Sequence, residues 1–385
     1  MLYEWCLSKS DALSDRAASW LGGPWTLARL ALACFAVCVF VRWPRYERIP
    51  AAHPPWFIEV LDWQTRHPLE KLPLDTMVPA EHRGGGFGTH LDKREPRQLL
   101  PLLGWATGLH FKIYLVANHV AGLAFFGLLA WLVRSRTGDA GIAALMALAY
   151  ALCYAGAHFF DDYYLGDGVA IALLLATMAV RQPMLIGLCV ALAGAADERA
   201  IVASVLTYAF WQIARVGMGQ LSVAAMLRPS AQAWGVIGGW AAYLAWRAVL
   251  RGAFGLTTGD TDLANWPILL HHAARFPGNL LGVFGWLGGV VALGAAAAWA
   301  HLPRRAFWLL ATLAAVPLVP ALLVYDFERS LAYGFAVPLI ACLIAGEREP
   351  RLLRLAVVAG FLGNAFLSHI PDTLMRLLIQ ARHWL

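Results

Sequence analysis

Charge is what this chain has little of: of 385 residues only 14% are Asp, Glu, Lys or Arg, where soluble domains carry about 25%. With 60% of the residues apolar and a mean hydropathy of +0.59, that deficit excludes a water-soluble domain and a disordered chain. Cysteine is sparse too. Cys6, Cys34, Cys38, Cys153, Cys189 and Cys342 form no Cys-x-x-Cys pair and no Cys/His metal spacing, which excludes a disulfide scaffold and leaves them as small hydrophobes buried in lipid. No HExxH, Gly-x-Ser-x-Gly or Ser-x-x-Lys constellation occurs, so the common hydrolase sites are missing. A basic face interleaved with aromatics is also missing, and with it the case for nucleic acid. The net charge of +6 belongs instead to loop arginines that set membrane topology and meet phosphates.

What is present is apolar sequence in long blocks, which predicts helices rather than the alternating strands of an outer-membrane barrel. The expected fold is an all-α polytopic membrane protein of about eleven transmembrane helices. They fall near 25–42, 116–134, 140–158, 167–181, 184–199, 200–215, 232–250, 279–300, 306–324, 331–346 and 352–370. Residues 1–24 read as a cytoplasmic amphipathic lead-in and not a cleavable signal, because Lys9, Asp11, Asp15 and Arg16 interrupt them. Residues 43–115 form a long outer loop, ending in an interfacial or re-entrant stretch from Leu99 to Leu115 that His110 and Lys112 interrupt. The bundle then runs over 116–370, with an outer tail at 371–385.

Arginine and lysine in short loops favour the cytoplasm. With the N-terminus inside, the inner connections hold Arg134, Arg136, Arg181, Arg215, Arg228, Arg304, Arg305, Arg348, Arg351 and Arg354. The outer ones hold the acids. This places the chain in a bacterial inner (plasma) membrane, with its N-terminus cytoplasmic and its active face outside.

Charge at membrane depth is expensive and marks function. The first such stretch runs from His158 to Gly168, with Asp161, Asp162 and Asp167 set among aromatics suited to an interfacial belt or to stacking on sugar; Asp167 alone suits a helix cap. The second is Asp197-Glu198-Arg199, flanked by apolar sequence on both sides. One arginine there leaves a carboxylate over, free to act as a base or metal ligand or to meet another arginine. In the third, Asp326, Glu328 and Arg329, the arginine can pair with Asp326 at i, i+3 or enter a cavity as a fork for phosphate.

The long outer loop ends in Gly84-Gly85-Gly86-Phe87-Gly88-Thr89-His90-Leu91-Asp92-Lys93-Arg94-Glu95-Pro96-Arg97. No strand precedes its glycines and no Gly-Lys-Ser/Thr follows, so it is no nucleotide loop. It reads as a mobile loop that carries His90, Asp92, Lys93, Arg94 and Arg97 to an anionic headgroup, or as a solvated basic turn at the lipid surface. Earlier in the same loop, Ile58 to Thr65 predicts a short surface helix with Glu59 and Asp62 on one face; either could be a general base. His271 and His272 do not share a helical face, so they form no metal site by themselves.

The layout resembles the GT-C superfamily of polyprenyl-phosphate-dependent membrane glycosyltransferases: an inner N-terminus, one span, a long outer loop, then many spans joined by short acidic outer turns. Family members place an acidic motif soon after the first span. Here that region reads Arg45-Tyr46-Glu47-Arg48, with Asp62 further on. The resemblance implies a polyprenyl-phosphate-linked sugar donor reaching an outward cavity through membrane lipid, an extracytoplasmic acceptor (envelope glycan, lipid or protein), and an inverting displacement. It also implies a carboxylate base, to be sought among Asp62, Glu47, Asp161, Asp162, Asp197 and Glu198. Arg199, Arg329, Asp326, Asp167 and the basic loop would bind substrate. No cofactor is required, although a divalent cation is compatible with so many acids. The rival class is a transporter or flippase, with interrupted helix pairs and internal repeats; a third is a non-catalytic partner in envelope glycan assembly.

Overall fold

The computed structural model describes residues 2–20, 26–42, 55–80, 94–160, 166–257, 266–323 and 327–369. Regular structure among them is entirely helical. Leaving helical turns of seven residues or fewer unlabelled, the helices are α1 (Leu2–Trp20), α2 (Thr26–Arg42), α3 (Pro55–Arg66), α4 (Leu99–Thr107), α5 (Lys112–Thr137), α6 (Ala140–Ala151), α7 (Asp167–Ala179), α8 (Pro183–Ala196), α9 (Val205–Val216), α10 (Ala231–Phe254), α11 (Trp266–Phe284), α12 (Gly288–His301), α13 (Arg304–Ala315), α14 (Ala336–Arg348) and α15 (Pro350–Leu362).

Four stretches among the described residues are long and apolar enough to cross a membrane: Lys112–Thr137, Arg275–His301, Phe327–Arg348 and Pro350–Leu367. Several other apolar helices are shorter, α6, α7 and α8 among them. Each apolar run of the sequence falls on a helix, but several ends move. The second long helix begins at Lys112, four residues before the expected 116, because Gly108 and His110 take left-handed φ values of 69° and 46° and turn the chain there. The expected re-entrant stretch is therefore α4 plus that turn. The run at 140–158 stops at Ala151, and the run at 279–300 is interrupted by a turn at Gly285–Leu287.

Local chemistry sets these ends. Gly138, left-handed at φ 72°, closes α5 just after Arg134 and Arg136, whose charges favour the negative end of a helix dipole. Asp139 opens α6 by accepting from the Ile142 N–H at 3.0 Å, and Ser230 opens α10 by accepting from Ala233 N–H at 3.1 Å. α8 and α10 approach through glycine. A Cβ on Gly235 would lie 2.4 Å from the Pro183 carbonyl oxygen, and one on Gly239 would lie 2.6 Å from Val190 Cβ. Gly235 and Gly239 thus form the small-xxx-small spacing by which apolar helices pack closely without a hydrophobic driving force.

Packing refines the sequence reading. The lead-in is helix α1, which lies against α6 and α15, burying Leu7, Ser10 and Ser14. Cys34, Cys38, Cys153 and Cys342 are buried inside the protein, not in lipid, while Cys6 and Cys189 are partly exposed.

Residues 55–80 and 94–111 form a small lobe against the start of α5. Trp56, Phe57, Val60 and Leu61 on one face of α3 cluster with Leu72, Val78, Leu100, Ile113 and Tyr114, leaving Glu59 and Asp62 on the outer face, as the helical period requires. Buried polar groups tie the lobe together. Gln64 Nε2 donates to the Arg94 carbonyl at 3.0 Å, Leu72 N–H to Glu95 Oε1 at 3.1 Å, and Leu69 N–H to Gln98 Oε1 at 3.2 Å.

Candidate functional site

The described charged turns sort to two ends of α5. Tyr114, near its start, lines a recess with Arg94 and Arg97, and Thr137, at its finish, lines a cleft with Asp139, Arg351 and Arg354. Twenty-three helical rises separate the two residues, roughly 35 Å at 1.5 Å each, the scale of a bilayer's hydrocarbon core.

At the first end, three short apolar helices deliver charge to one point. Asp197 and Glu198 follow α8, Arg199 opens the next turn, and Asp167 is the first residue of α7. The fourth and fifth contributions come from Arg329, in the turn before α14, and Arg97, in the lobe. Arg97 forks onto Glu198, with Nε donating to Oε2 at 2.8 Å and Nη2 to Oε1 at 2.6 Å, while its Nη1 lies 3.0 Å from Asp197 Oδ2. Arg199 donates to Asp197 from Nε at 2.9 Å and from Nη2 at 2.7 Å, to Asp167 from Nη2 at 3.0 Å, and to the Ser330 hydroxyl from Nη1 at 2.9 Å. Arg329 donates to Asp167 Oδ2 from Nε at 2.8 Å and from Nη2 at 2.7 Å. Below Arg199 lies the Tyr333 ring, its centroid 5.1 Å from the guanidinium carbon.

Three guanidiniums and three carboxylates thus alternate: Glu198, Arg97, Asp197, Arg199, Asp167, Arg329. Asp197 is fully buried and Asp167 nearly so. Such charges survive burial only when paired and hydrogen-bonded, and each carboxylate here holds at least one fork. Arg97 remains charged throughout the physiological range: burial pushes its pKa down, but Asp197 and Glu198 push it up by more, to a net rise. The chain's depth at this point can be read from α5. Asn118 Oδ1 lies 2.7 Å from where a Cβ on Gly168 would sit, so Asp167 is level with Asn118, about 9 Å along α5 from Lys112.

The extra carboxylate of the Asp-Glu-Arg triplet therefore meets a second arginine, Arg97, from 101 residues away. Arg329 turns to Asp167. Asp167 does not cap α7: Gly166 holds the cap position, without a side-chain cap hydrogen bond, and the Asp167 carboxylate is occupied by Arg199 and Arg329. Arg97 is committed to the network, and Arg94 is buried beside it. Asp62 stands apart on α3, accepting from Phe111 N–H at 3.2 Å and pairing at 2.7 Å with half-exposed Arg66. Glu47, His90, Asp92, Lys93, Asp161, Asp162 and Asp326 lie outside the described residues. His272 packs its ring 4.7 Å from that of Phe327. Ser330, Tyr333, Tyr114 and Gln64 escaped sequence reasoning; the one signal for the first two was a pair of hydroxyls just after Arg329 in an otherwise apolar run.

Among the described residues, no three His, Cys, Asp or Glu side chains converge on a point that would hold a metal ion. At the opposite end, Arg354 joins Asp139 Oδ2 at 2.7 Å to Asp11 Oδ1 at 3.0 Å, clasping α1 to α6. The cleft beside this clasp measures about 500 Å³. No family model, characterised protein or solved structure matches this chain.

Proposed function

We propose that the chain is a membrane glycosyltransferase that takes a sugar from a polyprenyl-phosphate-linked donor and passes it to an extracytoplasmic acceptor. The observation carrying this reading is the buried arginine-rich network where the lobe meets the bundle. It sits at the membrane boundary, one bilayer length from the clasp at the other end of α5, where a lipid-borne phosphate presents its charge. Arg94 is buried in this region, and Arg97, Arg199 and Arg329, only 10–14% exposed, lie beside it against Asp167, Asp197 and Glu198. That balance suits an anionic headgroup. The network holds the lobe to the bundle, so substrate contacts fall on the lobe's outward side. In this reading about eleven helices lie in the membrane, the short ones recessed beneath the lobe in a bacterial inner membrane, with the network facing outward.

The role of base falls to Asp62. Asp167 and Asp197 each hold two guanidiniums and Glu198 one, so none of them can take up a proton without stranding a buried cation. Asp62 has one solvent-facing partner, worth about 0.2–1 kcal/mol, which an acceptor hydroxyl can displace. The same saturation argues against an ion-coupled transporter, whose relay needs a carboxylate able to change partners. To test this, membranes containing the chain are supplied with extracted polyprenyl-phosphate sugars, and transfer to endogenous acceptor is followed. Wild type should transfer sugar, and Asp62→Asn should lose about 10²–10⁴-fold in rate with its lipid binding intact. Transfer unaffected by Asp62→Asn would remove that residue from the chemistry, and no transfer with any such donor would remove the activity.

A further inference from the structure

Beside the network lies a charge that the network does not balance. Arg94 is 5% exposed, makes no ion pair among the described residues, and has a buried Nη2 with no hydrogen-bond partner. Its guanidinium carbon lies 5.4 Å from the Phe57 ring centroid, and that ring's attraction offsets only part of the lost hydration. Burial pushes its pKa down to about 10, which still leaves it charged at neutral pH. Around it Tyr114 and Asp167 favour its charge, while Arg97 and Arg329 act against it. Glu95, its sequence neighbour, turns to the Leu72 N–H. A fixed, buried cation that no described carboxylate pairs calls for a counter-ion.

The surroundings limit what that ion can be. Arg94 opens on a recess lined by Gln64, Arg97, Leu100, Tyr114 and Ala196, with about 10 Å³ of free space, the room of one water-sized particle. A phosphate or sulfate, with five heavy atoms, does not fit without moving the lobe. A monatomic anion does, given small adjustments of the side chains.

We propose that this recess is a binding site for a single monatomic anion of the halide class, chloride being the abundant one, held by the open edge of Arg94 within the lining of Gln64, Arg97, Leu100 and Tyr114. The bound ion neutralises the fourth arginine and so locks the lobe onto α5. The site is argued from the recess alone, and a halide held there would compete with a headgroup phosphate for Arg94.

The test is anomalous diffraction from crystals of the full chain grown or soaked in bromide, with melting temperature measured in parallel. An anomalous peak within hydrogen-bond distance of Arg94 Nη2, together with a higher melting temperature in chloride than in gluconate at equal ionic strength, is the expected result. Arg94→Met should abolish both the peak and the chloride dependence. Bromide found only at the surface, or density in the recess that is water alone, would overturn the proposal in the wild-type protein, whether or not the variant folds. So would a recess that opens to hold phosphate in preference to bromide when both are supplied, since that would assign it to an oxyanion such as a lipid headgroup.

Discussion

Asp197 is the hinge of the charged centre, because it is fully buried and answers two arginines at once. Removing one partner of a buried ion pair strands the other, at a cost of about 3–5 kcal/mol. Asp197→Asn should therefore lower the melting temperature in detergent sharply. Glu198→Gln should cost much less, because that side chain is one-third exposed and Arg97 keeps Asp197. Equal effects from the two substitutions would contradict a centre organised around Asp197. At this scale the sequence was half legible. Asp-Glu-Arg between apolar runs had to be an ionic site, since no other arrangement tolerates those groups there. Its counter-ion was not legible, because Arg97 comes from another part of the chain and nothing local marks the pairing. Arg329 was legible as far as Asp326 at i−3; its ion pair with Asp167, 162 residues away, carries no local mark.

Helices were easier to read than their ends. The apolar blocks fell on helices, since block length and composition decide that much, but α1 and most of α11 lay outside them. What moved the ends was backbone chemistry: left-handed Gly108 and His110 before α5, and the turn at Gly285 between α11 and α12. Helix pairing depends on close approach, and two predictions follow at this level. Gly239→Leu places a branched side chain where even a Cβ would stand 2.6 Å from Val190. Overpacking of that kind costs about 1–3 kcal/mol and should show as reduced yield and melting temperature, whereas Gly238→Ala, whose Cβ meets nothing within 4 Å, should be neutral. At the other end, Arg354→Leu removes both ion pairs to Asp11 and Asp139. These are partly exposed, so the loss is about 1 kcal/mol. The bundle should stay folded while α1 becomes more sensitive to protease; unchanged cleavage of α1 would mean that Leu7, Ser10 and Ser14 hold it alone.

Across the whole molecule, the two charged centres lie one membrane thickness apart, joined by α5. The clasp of Arg354 on Asp139 and Asp11 and the network around Asp197 therefore lie at opposite ends of one helical body. Which end faces outward is open to labelling in intact cells. Single cysteines in a background lacking the native ones should react with a membrane-impermeant maleimide at Glu59 and not at Arg351, if the network faces outward. The central claim, that the chain binds a lipid-linked phosphate beside the network, is tested most directly by lipid-resolved mass spectrometry of the purified wild-type chain. Co-purified polyprenyl phosphate or its glycosylated form, displaced by added polyprenyl phosphate, is the predicted result. Bulk phospholipid alone, with no polyprenyl species retained, would contradict it.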